Sequence, residues 1–160
     1  MTILSTVSTA AARSARTLSI MGLGVMALAS NGLFAADGLS SSAPADAEVY
    51  IIEPRAGATV GETFVVKFGL RGMGVAPAGV EVANTGHHHL LIDNPAVDMT
   101  LPLPASDQVV HFGKGQTEAV VTLTPGTHTL QLLLGNHLHV PHTPAVMSAP
   151  IRVQVRVDSK

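Results

Sequence analysis

From Glu48 onward, short apolar runs alternate with turn residues and no helical period of useful length develops, which is the pattern of an all-β domain. Seven runs stand out: Val49 to Glu53, Thr63 to Leu70, His87 to Asp93, Gln108 to Phe112, Glu118 to Leu123, Thr127 to Leu134 and Ile151 to Val157. In the second, Phe64, Val66, Phe68 and Leu70 share one face. In the last, Ile151, Val153, Val155 and Val157 oppose Arg152, Gln154 and Arg156. Each apolar face must be buried. Pro125-Gly126 makes a tight connection between the fifth and sixth runs, and Gly57 to Gly61 links the first pair, so neighbours are expected to be antiparallel. Seven such strands predict an immunoglobulin-like two-sheet antiparallel sandwich over residues 48–158.

Two long stretches interrupt the strands. Arg71 to Gly86 and Asn94 to Asp107 carry Pro77, Pro95, Pro102 and Pro104 and lack alternation. Loops of that length often carry function. Before the domain, residues 37–47 are rich in Ser, Ala and Asp and read as a flexible tether. Residues 1–36 read as a cleavable signal peptide: Arg13 and Arg16 precede an apolar run from Leu18 to Leu28, followed by small residues at Ala27, Ala29, Ala35 and Ala36. Cleavage fits after Ala29 or near Ala36. The run is too short and too broken for a membrane span, so the expectation is a periplasmic or secreted protein with no span after cleavage.

Composition narrows the chemistry. The 160 residues carry a formal charge of -2, which leaves no basic surface for nucleic acid. Five aromatics and no Trp remove most platforms for stacking sugars, bases or flavins. There is no cysteine, hence no disulfide and no lipoprotein acylation site. Histidine is the outlier, at eight, with none before His87.

With the strands lettered A to G in immunoglobulin order, the B–C, D–E and F–G connections lie at one end of the sandwich. His87, His88 and His89 open strand C, His111 ends strand D, and His137, His139 and His142 occupy the F–G loop. Seven of the eight histidines thus fall at one pole; His128, at the start of strand F, falls at the other and reads as structural. On an extended chain, a His-x-His pair puts both rings on one face about 6.6 Å apart, a spacing that suits a metal. His87 with His89, and His137 with His139, have it. Two such segments plus His111 offer three or four nitrogens, enough for tetrahedral zinc or tetragonal copper. Met73, Met99 and Met147 lie in or beside the same loops, and thioethers tilt the choice toward copper.

Plainer readings compete. His88 is in phase with Leu90 and Ile92, as a core-edge residue hydrogen-bonded to backbone would be. The Gly135 to His142 segment reads equally as a loop that bonds itself and packs Leu138 and Val140 inward. Met73 and Met147 read as gap-filling side chains. No catalytic motif frames Ser106 or Thr85 with Asp93. Gly113 to Thr117 lacks the phosphate-loop pattern and reads as a hairpin turn. A metal-dependent enzyme would need an open position and a base such as Asp93 or Glu118.

The strings Gly57-Ala58-Thr59-Val60-Gly61, Gly86-His87-His88-His89-Leu90-Leu91-Ile92-Asp93, His111-Phe112-Gly113-Lys114-Gly115-Gln116-Thr117-Glu118 and Pro125-Gly126-Thr127-His128-Thr129-Leu130 resemble the bacterial exported family known as domain of unknown function 4399. The resemblance runs from about Val49 to Val157 and implies a small exported β-domain of uncharacterised activity. The family's F–G segment ends His-x-Pro-His, matched by His139, Pro141 and His142, while His137 falls at a variable position. A second family histidine, two residues before His111, is Val109 here. The candidate ligands are therefore His87, His88, His89, His111, His139 and His142, with His137, Met73 and Met147 weaker.

The expectation is a non-enzymatic, exported metal-binding module, copper first and zinc second. Its partners would be a metal donor or acceptor protein or a cell-envelope component. The rival expectation is a cell-envelope module that binds a protein or polymer and uses its histidines structurally.

Overall fold

The computed structural model describes residues 38–157. The signal peptide expected over residues 1–36 lies outside them. No helix forms among the described residues, and each of the seven apolar runs forms a strand. In chain order the strands are β1 (Glu48–Glu53), β2 (Thr59–Val60), β3 (Thr63–Arg71), β4 (Gly74–Val75), β5 (Thr85–Ile92), β6 (Val109–His111), β7 (Glu118–Thr122), β8 (Gly126–Gly135) and β9 (Ile151–Val155). The two-residue strands β2 and β4 are additions that alternation cannot reveal, since two residues have no period.

The strands form two sheets, β1-β3-β7 and β2-β9-β8-β5-β4, with β6 also paired to β5. All the long pairings are antiparallel; β2 on β9 and β4 on β5 are short parallel additions. This is the immunoglobulin-like sandwich with one change. The fourth of the seven expected strands, the three-residue β6, pairs with β5, whereas an immunoglobulin constant-type order would place it in the other sheet. Because β6 runs antiparallel to β5, its last residue still arrives where β5 begins, and His89 stands opposite His111.

The inner faces interlock as alternation requires. Val66 and Phe68 of β3, Leu90 and Ile92 of β5, Leu130, Leu132 and Leu134 of β8, and Val153 and Val155 of β9 fill one core. Val157 lies beyond the end of β9 and is exposed, so the last run is shorter than its alternation suggested. Truncating a fully buried leucine such as Leu132 to alanine costs about 2–5 kcal/mol.

A second, smaller cluster lies on the outer face of the larger sheet. There the long loop between β5 and β6 folds back, and Leu103 covers Leu91, Val109 and Leu133, with Val97 and Met99 packed beside them. Strand β5 is consequently buried on both faces from Gly86 to Ile92, although an antiparallel strand usually shows one face to water.

Residues 38–47 correct the expectation of a flexible tether. Ser42 bridges Thr143 in parallel, the Ala43 amide donates to the Thr143 carbonyl at 3.2 Å, and the Thr143 amide donates to the Ser41 carbonyl at 2.9 Å. Ala43 and Ala47 pack against the main core. The reason is local: Pro141 and Pro144 keep the 141–144 segment from building a ladder of its own, and the serine-rich stretch supplies the missing partners.

Candidate metal centre

Alternation along β5 sends His87, His89 and Leu91 to the outer face of the larger sheet and His88, Leu90 and Ile92 into the sandwich core. His89 faces His111 on one side and Leu133 on the other; His87 faces Gly135. The loop after β8 brings His139 over the same spot. Four imidazoles result: ring centroids are 4.8 Å apart for His87–His89, 4.9 Å for His87–His111, 4.9 Å for His87–His139, 5.1 Å for His89–His111 and 4.6 Å for His111–His139. The His89–His139 separation is longer, at 6.1 Å.

Ligand-type nitrogens of His87, His89 and His111 all lie within 4.8 Å of one another. A metal with bonds of about 2.0–2.1 Å holds tetrahedral nitrogens roughly 3.4 Å apart, so nitrogens within 4.8 Å of one another need to close by at most about 1.4 Å. Among the described residues, this group that could hold a metal ion is made of imidazoles alone.

Two glycines make the convergence sterically possible. A Cβ on Gly135 would stand 2.7 Å from His89 Cε1 and 3.3 Å from the His139 carbonyl carbon. The missing side chain opposite His87 is the space the His89 ring and the His139 backbone occupy. At Gly113, a Cβ would meet the His111 ring itself. In the sequence each glycine reads only as the start of a loop or turn, with no sign of the ring that fills its missing side chain.

The nitrogens at the centre have no partners. Both ring nitrogens of His87 and both of His89 are buried without a hydrogen bond. Such groups are rare in folded proteins, because each has lost its water and gained nothing in return. Burial first, then the neighbouring His111 and His139, holds His87 down at about 4; burial first, then His87, His111 and His139, holds His89 down at about 3. His111, the most exposed of the set, is lowered by burial and by His139. Lowered below the ordinary 6.5, these rings are neutral near pH 7, and each keeps one unprotonated nitrogen able to bind a cation.

The remaining expected ligands sit elsewhere. His88 points into the core, 5.1 Å from the Phe68 ring, and its Nδ1 donates to the Gln116 carbonyl at 3.2 Å. His142 is 3% exposed and lies between the Leu134 carbonyl (Nδ1, 3.4 Å) and the Thr85 carbonyl (Nε2, 3.2 Å). Both leave the candidate set: the period-two pleat turns His88 away, and His142 is tied to backbone. His137 lies 3.9 Å from Glu81 rather than in the cluster, although it shares a His-x-His spacing with His139. The loop here is a turn rather than a strand, so the spacing does not put both rings on one face. Met73 packs against the main core and Met147 is largely exposed, so neither supplies a thioether.

His128 sits at the opposite pole, as expected. Its Nδ1 is 2.9 Å from Asp93 Oδ2 and its Nε2 is 2.9 Å from the Thr124 carbonyl. Burial alone would lower it, but the bond to Asp93, the Thr124 carbonyl and the Asp93 charge together raise it. Asp93 also accepts from the Thr129 amide at 2.9 Å, and Glu118 stands opposite Lys67 in the smaller sheet. Neither carboxylate lies with the histidine cluster.

The family model for "Domain of unknown function (DUF4399)" matches residues 66–156. The chain belongs to the DUF4399 family. All eight histidines of this DUF4399 chain fall inside the matched region, whereas β1, β2 and residues 38–47 precede it. No curated protein matches the chain in sequence. Among solved structures, it is similar to the endo-beta-1,4-mannanase from Thermotoga petrophila, with 14% identity over 71% of this chain and 20% of that one, at a TM-score of 0.42. It is also similar to fibronectin(III)-like modules of Clostridium thermocellum CbhA, with 12% identity over 70% of this chain and 46% of that one, at a TM-score of 0.40. The chain therefore spans less than half the length of either.

Proposed function

We propose that this DUF4399 protein is an exported, periplasmic or secreted metal-binding module whose centre is His87, His89, His111 and His139, with copper as the first candidate and zinc the second. The observation that carries the reading is the set of buried, unpartnered ring nitrogens on His87 and His89, converging with His111 on one space. Water has been removed from these donors, and a cation is the partner that suits several neutral imidazoles at once. The donor set is all nitrogen, which moves the preference from copper(I) to copper(II): first-row divalent ions bind such sites most tightly at copper, with zinc below it.

Reversible coordination would serve storage, delivery or protection, with a metal donor or acceptor protein or an envelope component as the exchanging partner. Binding requires neutral imidazoles, so it weakens in acid. The test is elemental analysis of untagged protein recovered from the periplasm, followed by titration with copper and zinc. Near-stoichiometric metal, and a melting temperature raised by several degrees on loading, are expected, since a ligand at a hundred times its Kd stabilises by about 2.7 kcal/mol. A metal-free protein whose melting temperature neither ion moves would return the chain to the envelope-interaction reading.

A further inference from the structure

His139 is held by a device that reaches outside the family-matched region. It is one of only four non-glycine residues with positive φ among the described residues, at 68°, a conformation uncommon outside glycine though tolerated by Asn, Asp and His, the other three all being Asn or Asp. Asn136 fixes it. The Asn136 Oδ1 accepts from the Leu138 amide at 2.9 Å and the Val140 amide at 3.1 Å, its own amide donates to the Val140 carbonyl, and its carbonyl accepts from the His139 amide, both at 2.9 Å. On the far side, the Leu103 amide donates to the His139 carbonyl at 3.0 Å.

The Asn136 side chain is itself oriented from residues 39–43. Its Nδ2 donates to the Leu39 carbonyl at 2.7 Å and to the Ser41 hydroxyl at 2.9 Å, and the residue is 1% exposed. The Ser40 hydroxyl donates to the Pro141 carbonyl at 2.7 Å and lies 2.8 Å from the Thr143 hydroxyl. A buried amide has no water to fall back on. Without the 39–43 segment, Nδ2 is unpaired and the turn that presents His139 loses its reason to close.

We infer that residues 39–43 are a latch on the fourth imidazole: docked, they hold His139 beside His87 and His111; undocked, they free it and open one coordination position to an incoming ligand from an acceptor. This rests on the metal reading of the cluster and adds how the ion is retained. The strap controls release rather than capture, because His87 and His89 stay fixed on β5. Its attachment fits that role, since a handful of hydrogen bonds and the one small Ala43 side chain hold it, and segments with so little buried apolar contact open locally at low cost.

Asn136→Asp tests the latch, since the change keeps the acceptor for Leu138 and Val140 and removes the donor to Leu39 and Ser41. Copper(II)-loaded Asn136→Asp should lose its ion to EDTA about tenfold faster than the wild type, in line with one lost buried hydrogen-bond pair. Its paramagnetic resonance spectrum should show three coupled nitrogens instead of four, as His139→Ala should, and the double variant should release no faster than His139→Ala alone. Ser41→Ala, which removes one of two acceptors, should give a smaller acceleration, because the Leu39 carbonyl still accepts from Asn136 Nδ2. In metal-free protein, the His139 and Val140 amides should exchange with solvent faster in Asn136→Asp than in the wild type. Equal release rates and a four-nitrogen spectrum in Asn136→Asp, or unchanged amide exchange, would overturn the latch while leaving the metal reading intact. A wild type that takes up no copper overturns the metal reading and with it any role of the strap in retention, while amide exchange still reports whether the strap orders the turn.

Discussion

His87 and His128 mark opposite ends of the β5–β8 ladder, one opposite Gly135 and the other just beyond the last paired residues. Each ring nitrogen of His128 is 2.9 Å from an acceptor; neither nitrogen of His87 has a partner at all. The ring at the His128 end is surrounded by a carboxylate and a carbonyl, both of which welcome a second proton. The ring at the His87 end is surrounded by other imidazoles and buried, which repel one. A histidine given acceptors closes a structure and has no capacity left over. His87, deprived of them and set among other imidazoles, keeps one unprotonated nitrogen for a cation, and the difference lies in the neighbours rather than in the residue. His88 also has a buried Nε2 without a partner, but it faces Phe68 in the core and no second imidazole.

The largest effect that would break this contrast is loss of the centre. His87→Ala combined with His89→Ala should weaken copper binding by roughly two orders of magnitude or more, measured by competition with a chelator, while His128→Gln should leave it unchanged. Comparable losses in both variants would mean that copper binds wherever a histidine is exposed.

A change that adds atoms rather than removing ligands comes next. Gly135→Ala puts a methyl group within 2.7 Å of His89 and 3.3 Å of the His139 backbone, so it should destabilise the domain by about 1–3 kcal/mol and misalign the cluster. Denaturant melts and a copper titration of the same variant measure both. A variant that binds copper with wild-type affinity would show that the four rings need not converge as the structure has them.

The two ends should then differ in the sign of their pH response in metal-free protein. His87 and His89 are held below the ordinary 6.5, so the unfolded chain binds more protons as pH falls. Their stabilisation is full above 6.5 and is lost progressively as pH drops toward about 4 and about 3. The double alanine variant should therefore lose less stability than the wild type between about pH 6.5 and 4.

The smallest effect is at the other end and has the opposite sign. His128 is raised above 6.5, so its bond to Asp93 stabilises fully below 6.5 and fades as pH climbs through the raised value. Asp93 is 42% exposed, which limits the contribution to about 1 kcal/mol or less. Chemical denaturation of His128→Gln should show a deficit at about pH 6 that narrows by about pH 9. A deficit that widens with pH would place the proton elsewhere.

The alternating apolar residues of β3 and β9 and the runs between turn residues determined the all-β sandwich, because a half-buried strand must repeat every second residue. The same pattern, with a fold that alternates direction, put the histidines at one pole and His128 at the other. It also carried the hint that His88, in phase with Leu90, belongs to the core. Side-chain identity and period are local properties, and a chain displays them before it folds. Which nitrogens meet is not local. His139 joins the cluster through a positive-φ turn, His137 two residues earlier does not, and His142 is taken by the Thr85 and Leu134 carbonyls. Those outcomes depend on Asn136, on two glycines whose missing side chains leave room for imidazole rings, and on a serine-rich segment whose composition reads as a tether. Tertiary structure decided them, because hydrogen-bond partners and free volume at a site are supplied by segments far away in sequence, and no periodicity along one strand records what the other strands bring.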